Sequence, residues 1–279
     1  MKKGINYWSF GGADLEHAVE LAAKAGFDGI ELCLDAGTVL GPETSDEDVR
    51  AIGRLVADHG LEVSSIASGM PWSFPMTSAD PDTRAIAVAT ARRQIEVADL
   101  LGAGAILLVP GYVGCDFVPD AEVIPVLDAL ERARDGIASL AQVAEDHGID
   151  IGIENVWNKM LQTPVEMRDF IDSFSHPRIG SYFDVANAVI NGYSADWIRV
   201  LGSRIRRVHF KDYRRAVGTV DGFVGLLNGD VDFPAVVTAL REVGYDGYCT
   251  AEILPFFTHH LDALPAMTSI AMDHILGRI

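Results

Sequence analysis

Four side chains, Glu154, Asp184, His209 and Glu252, stand at or near the ends of short apolar runs in the second half of the chain. The runs read DIGIE, SYFD, RRVHF and YCTAE, and the four residues are 30, 25 and 43 positions apart. Taken singly, a carboxylate at the end of a strand serves a turn or a cap, and a lone histidine serves a structural hydrogen bond. Taken together they point to chemistry. A buried carboxylate is costly unless it is paired or bound to a cation, and three crowded carboxylates repel one another unless a divalent ion sits among them. An oxygen-rich set with a single imidazole suits Mn2+ or Mg2+, with Co2+ or Zn2+ as further options.

Such residues act together only if the fold brings the strand ends to one place. Strands are predicted at 3–8, 28–34, 61–67, 104–110, 149–155, 179–184, 205–211 and 247–253. Helices are predicted between them, at 13–25, 45–59, 82–101, 121–147, 164–174, 194–202, 232–243 and 258–277. Thr163 before Pro164, and Asp232 ahead of Pro234, place a capping side chain beside a first-turn proline. The stretches KAGFDGIEL, DHGLEVSSI, DHGIDIGIE and EVGYDGYCTAE repeat one grammar: helix end, glycine, short turn, apolar strand. Eight such units suit a closed parallel (β/α)8 barrel, in which the carboxyl ends of all strands meet at one mouth. An open doubly wound sheet is the alternative, but SFGGADLE after the first strand matches neither of the glycine-rich phosphate loops.

The chain has 279 residues, 49% of them hydrophobic, and no linker-like stretch, so residues 1–279 are read as a single barrel domain. The net charge of −18 repels phosphate backbones, which argues against nucleic acid and anionic membranes as partners. Three widely spaced cysteines, without a CxxC, fit reduced thiols in a cytoplasmic protein. MKKGINYWSFGG lacks the apolar core of a signal peptide, and no apolar stretch is long enough for a membrane span. An isologous homodimer or a homotetramer is the default expectation for assembly.

The segments GIEN, FDVAN, VHFKD and AEI, in this order and spacing, resemble the sugar isomerase/epimerase superfamily, whose fold is a xylose isomerase-like TIM barrel. The resemblance is to ketose 3-epimerases and to L-ribulose- or L-xylulose-5-phosphate 3-epimerases. It implies that Glu154, Asp184, His209 and Glu252 bind one divalent metal, and that Glu154 and Glu252 are the acid–base pair. The expected reaction is epimerisation at C3 of a ketose or ketose phosphate through a cis-enediolate. Aldose–ketose isomerisation and inosose-type dehydration use the same proton chemistry and stay open. Apurinic endonucleases share the barrel, but they need more metal ligands and a basic surface, which this chain does not offer. A non-catalytic sugar binder would take up metal without exchanging any hydrogen.

One position departs from the free-ketose enzymes: Asn187 stands where they carry a histidine, and Asp-x-x-Asn looks more like the sugar-phosphate branch. Arg215 matches a substrate-contacting arginine, and Lys211, Arg214 and Arg215 form a basic cluster suited to gripping a hydroxyl or a phosphate, with Lys159 as a further candidate. Trp8, with Tyr7, Trp72, Phe74 and Trp157, is placed to wall a sugar pocket. Glu31 ends the second strand and is read as orienting the metal-binding groups or closing the floor of the site. The loops 70–80 and 111–120 are candidate lids. His259 and His260 are expected to open the last helix as surface residues or beside the site, and the helical histidines receive no role.

Overall fold

The structure is a computed structural model that describes residues 1–254 and 256–279. Its strands are β1 (Lys2–Asn6), β2 (Gly29–Cys33), β3 (Glu62–Ala67), β4 (Ala105–Leu108), β5 (Asp150–Glu154), β6 (Ile179–Asp184), β7 (Ile205–Phe210), β8 (Asp212–Tyr213), β9 (Phe223–Val224) and β10 (Tyr248–Ala251). Among the described residues, eight of them close a parallel barrel in the order β1-β10-β7-β6-β5-β4-β3-β2, while β8 and β9 form a separate antiparallel hairpin. The helices are α1 (Leu15–Lys24), α2 (Asp46–Asp58), α3 (Pro81–Leu100), α4 (Val126–Ala138), α5 (Ala141–His147), α6 (Pro164–Asp172), α7 (Ser194–Leu201), α8 (Phe233–Glu242) and α9 (Ala263–Leu276). Among the described residues no helix is long and apolar enough to cross a membrane.

The alternation of side chains along each strand decides which residues meet. On β5, Ile151 and Ile153 join the main apolar core, and Gly152 and Glu154 take the alternate positions. On β7, Val208 and Phe210 join that core on either side of His209. On β6, Phe183 stacks on Trp197 of α7, and Tyr182 and Asp184 take the other face. Ile30 and Leu32 flank Glu31 in the same way. A second, small apolar cluster of Cys33, Ala67, Leu107, Val109 and Tyr182 packs apart from the main core. Gly152 makes room for that packing, since a methyl group there would lie 2.9 Å from the Tyr182 Cβ and 3.2 Å from the Ile106 carbonyl oxygen.

The expected caps form: Thr163 and Glu166 make a reciprocal capping box, and Asp232 accepts from the Ala235 N–H at 3.0 Å. The helix expected over 121–147 is instead two, α4 and α5, separated by Ser139 and Leu140. Its first residues are drawn away from helical pairing. The Glu122 carboxylate accepts from the Ser78 hydroxyl at 2.9 Å and the Ala79 N–H at 3.1 Å, and the Ile124 N–H donates to Val113. Pro125, which lacks a donor, then stands at the helix cap. The last helix begins at Ala263, so His259 and His260 precede it rather than open it.

Candidate active site

Glu154 ends β5, Asp184 ends β6, His209 lies one residue before the end of β7 and Glu252 directly follows β10. All four are buried, and one ligand atom from each lies within 4.8 Å of the others. Asp184 Oδ1 accepts from the backbone N–H groups of Ala186 and Asn187, both at 2.8 Å, which fixes the carboxylate. Its Oδ2 is buried and, among the described residues, makes no hydrogen bond. The same holds for His209 Nδ1, which lies 3.2 Å from Glu252 Oε2 and 3.7 Å from Glu154 Oε1 without a bond. Two buried polar atoms without a hydrogen bond, facing two more carboxylates, are what a cation site requires. Three carboxylates and one imidazole nitrogen could therefore hold a single metal ion. Asn155 staples the ends of β5 and β6, exchanging hydrogen bonds of 2.8 Å with both the N–H and the carbonyl of Asp184.

Glu31 orients this cluster from the far side of the barrel. His209 Nε2 lies 2.7 Å from Glu31 Oε1, which leaves Nδ1 to face the other donors. The Glu31 carboxylate also accepts from Asn6 Nδ2 at 2.5 Å, Ser65 Oγ at 2.7 Å and the Tyr182 hydroxyl at 2.5 Å. Burial opposes charge on Glu31, but His209 and the donors outweigh it and hold the carboxyl below its usual range. Glu31→Gln brings an amide into a ring of donors and loosens the imidazole. Metal affinity is expected to fall about 10–100-fold, and calorimetric titration with Mn2+ at pH 7 measures it; an unchanged Kd would rule out the orienting role.

The two glutamates are chemically unequal. Burial and the neighbouring Glu252 charge raise Glu154 to about 7, against the pull of His209. Burial acts on Glu252 too, but Lys211 Nζ at 2.7 Å and His209 outweigh it, and Glu252 stays ionised far below the ordinary range. Lys211 is itself buried, yet Glu252 and Asp184, the latter at 3.4 Å, keep its ammonium charged. In the closed ring β10 and β5 have β7 and β6 between them, so the two carboxyl groups reach the mouth from separated strands.

Above the cluster lies a cavity of about 460 Å³. Trp8, Asn187 and Lys211 line it, as do Trp72 and Trp157. Trp8 Nε1 donates to Asp35 at 3.1 Å, and Asn187 Nδ2 donates to the Asn155 carbonyl at 3.0 Å. Arg215 does not reach the cavity. Its exposed side chain donates from Nε to the Val189 carbonyl at 3.2 Å and lies over the Tyr193 ring. Arg214 donates to the Asn228 carbonyl, and Lys159 pairs with Asp116 at 2.7 Å, so the expected basic cluster reduces here to Lys211. Tyr7 and Phe74 do not line the cavity. The loops read as lids do contribute to its wall: Trp72 and Phe117 meet edge to face at 4.9 Å. Phe117, Phe223 and Leu254 are lining residues that the sequence reading passes over, because a lone apolar residue in a loop carries no periodic signal. The hairpin that brings in Phe223 is pinned by the Asp212 carboxylate, which accepts from the N–H groups of Tyr213, Gly229 and Val231.

A closed parallel barrel with this cluster at its mouth defines a class. Residues 19–264 match the family described as the xylose isomerase-like TIM barrel, and the chain belongs to it. The L-ribulose 3-epimerase of Methylomonas sp. (strain DH-1) is 27% identical over 253 residues, which cover 88% of this chain and 79% of that protein. An inosose dehydratase of Lacticaseibacillus casei is 25% identical over 142 residues, covering 45% of this chain and 47% of that protein. A solved structure of an L-ribulose 3-epimerase shares the fold with a TM-score of 0.82 at 22% identity, covering 99% of this chain and 95% of the other.

Proposed function

We propose that the chain is a sugar epimerase that inverts C3 of a ketose, with Glu154 and Glu252 as its acid–base pair. The observation that carries this reading is the presence of two unequal glutamates, from separated strands, at one cavity with Asp184 and His209. Similarity to the L-ribulose 3-epimerase supports it. Glu252, ionised beside Lys211, takes the proton from C3 and leaves a planar enediolate. Glu154, from the other strand, returns a proton to the opposite face, and the configuration inverts. A divalent cation, for which Mn2+ is the first choice, would be held by Glu154, Asp184, His209 and Glu252 and would supply positive charge beside the ketose oxygens, which acidifies the C3 hydrogen.

The ketose in this reading is not phosphorylated. Among the described residues that line the cavity, Lys211 is the one cation, and two carboxylates already engage it. A phosphate there would face Glu154, Glu252 and Asp221. The three free and buried cysteines suit a reducing cytoplasm.

Proton NMR in D2O tests the reading, with Mn2+-loaded protein and a panel of ketopentoses, ketohexoses and their terminal phosphates. Deuterium at C3 with appearance of a second ketose is expected. Exchange at C1 or C2 with an aldose product would replace the reading with an isomerase. Turnover only of cyclic polyol ketones, with loss of water, would favour the dehydratase to which part of the chain is similar.

A further inference from the structure

The cavity has two unlike ends. At one, Glu154, Glu252 and Lys211 gather their charges. The rest, apart from Asp221, is mainly carbon: the edge-to-face pair Trp72–Phe117, the stacked pair Trp157–Phe223 at 5.1 Å, and Leu254. The polar atoms nearby are largely committed. Trp8 Nε1 donates to Asp35, Asn187 Nδ2 donates to the Asn155 carbonyl, and Ser68 Oγ accepts from the Met70 N–H at 3.2 Å. The expected arginine clamp points away from the cavity. A bare ketose that placed its distal hydroxyls against the two aromatic pairs would leave them without partners there, and unpaired buried hydroxyls weaken binding. The volume, about 460 Å³, falls within the roughly 300–1,000 Å³ typical of drug-sized ligands.

We propose that the substrate is a keto sugar carrying an uncharged apolar group of aromatic size, bound with its carbonyl end at the metal cluster and the apolar group between the Trp72–Phe117 and Trp157–Phe223 pairs. This inference rests on the sugar-epimerase reading for its carbonyl end. Its apolar end stands on the lining alone. The aromatic rings offer flat faces to such a group, and burying it against them adds affinity that a free sugar does not gain.

The test uses Mn2+-loaded protein and three sugars: D-fructose and its 1-O-benzyl and 6-O-benzyl ethers. Two quantities are read for each, the Kd by calorimetry and kcat/KM for deuterium exchange at C3. At least one ether is expected to bind about tenfold or more tightly than fructose and to gain by a similar factor in kcat/KM. Phe117→Ala, at a position 39% exposed, should bring the ratio of ether to parent back towards one. Exchange with fructose that neither ether exceeds in Kd or kcat/KM would overturn the inference and leave the epimerase standing. Tighter binding of an ether with no C3 exchange by any sugar would overturn the epimerase and keep the apolar end. Equal weak binding of all three overturns the inference whatever the exchange.

Discussion

Glu154→Gln should abolish hydrogen exchange at C3, a loss of roughly 10³-fold or more, while the protein stays folded. Glutamine keeps the shape of the protonated acid but cannot pass a proton. It also removes a charge that burial and Glu252 already disfavour, so the metal-free variant should melt at or above the wild-type temperature. Glu252→Gln should lose activity as completely and behave differently in stability. It takes away the main partner of Lys211, a buried cation then left with Asp184 at 3.4 Å. Breaking a buried pair from one side costs on the order of 3–5 kcal/mol. Exchange rates and thermal melts of the two variants check both statements. Near wild-type turnover in either variant would end the two-glutamate assignment, and a reversed order of melting would overturn the asymmetry between them.

Mn2+ at about 100 times its Kd should raise the melting midpoint by roughly 5–10 °C, the equivalent of about 2.7 kcal/mol. At one fixed Mn2+ concentration the gain should grow with pH. In the metal-free protein Glu154 titrates at about 7 rather than 4.5. A raised carboxyl favours the fold while it stays protonated, so this contribution is complete below about 4.5 and is lost as pH rises to about 7. The loss amounts to about 3 kcal/mol. His209, raised well above 6.5 by its carboxylate neighbours against the effect of burial, favours the fold below 6.5 and loses that contribution as pH rises through its higher value. Glu252, held low, stabilises above the ordinary carboxylate range and loses that contribution only as pH falls below it. From pH 5 to 8 the metal-free site therefore weakens, while a cation that displaces the protons of Glu154 and His209 binds more tightly. Melts with and without Mn2+ at pH 5 and pH 8 read this directly. An equal gain at both would show that neither group gives up a proton to the metal.

The barrel and the cluster at its mouth are readable in the sequence because both follow local rules. Alternation along Ile151-Gly152-Ile153-Glu154, and around His209 and Glu31, states which side chains leave the apolar core. Glycines after helices mark where the next strand begins. Placements set by distant loops are not readable in this way. Arg215 follows β7 closely, yet the Val189 carbonyl and the Tyr193 ring hold it outside. The β8–β9 hairpin depends on the Asp212 carboxylate reaching across to Gly229 and Val231, a contact between loop positions with no periodic trace. The late start of α4 at Val126, rather than at 121, follows from Glu122 binding Ser78 and Ala79, partners chosen by tertiary structure. Glu31 falls between these cases. Its place between Ile30 and Leu32 shows that it leaves the apolar core, and only the structure shows that it takes His209 Nε2 and three further donors.

The four residues that could hold a metal are spread over positions 154 to 252, and the carboxylate bonded to His209 Nε2 comes from position 31. No contiguous stretch of chain holds the complete set. A ring that has come open at β2 or at β10 presents a defective cage, so a cation discriminates between the closed ring and anything short of it. Loading gives no assistance to a chain still assembling its strands, yet the ion must be released before the strands can part. An ion held there would act as a latch on the finished molecule: it would lengthen the lifetime of the folded state and leave the speed of reaching it unchanged, so that urea kinetics with Mn2+ should show slower unfolding beside an unaltered refolding rate.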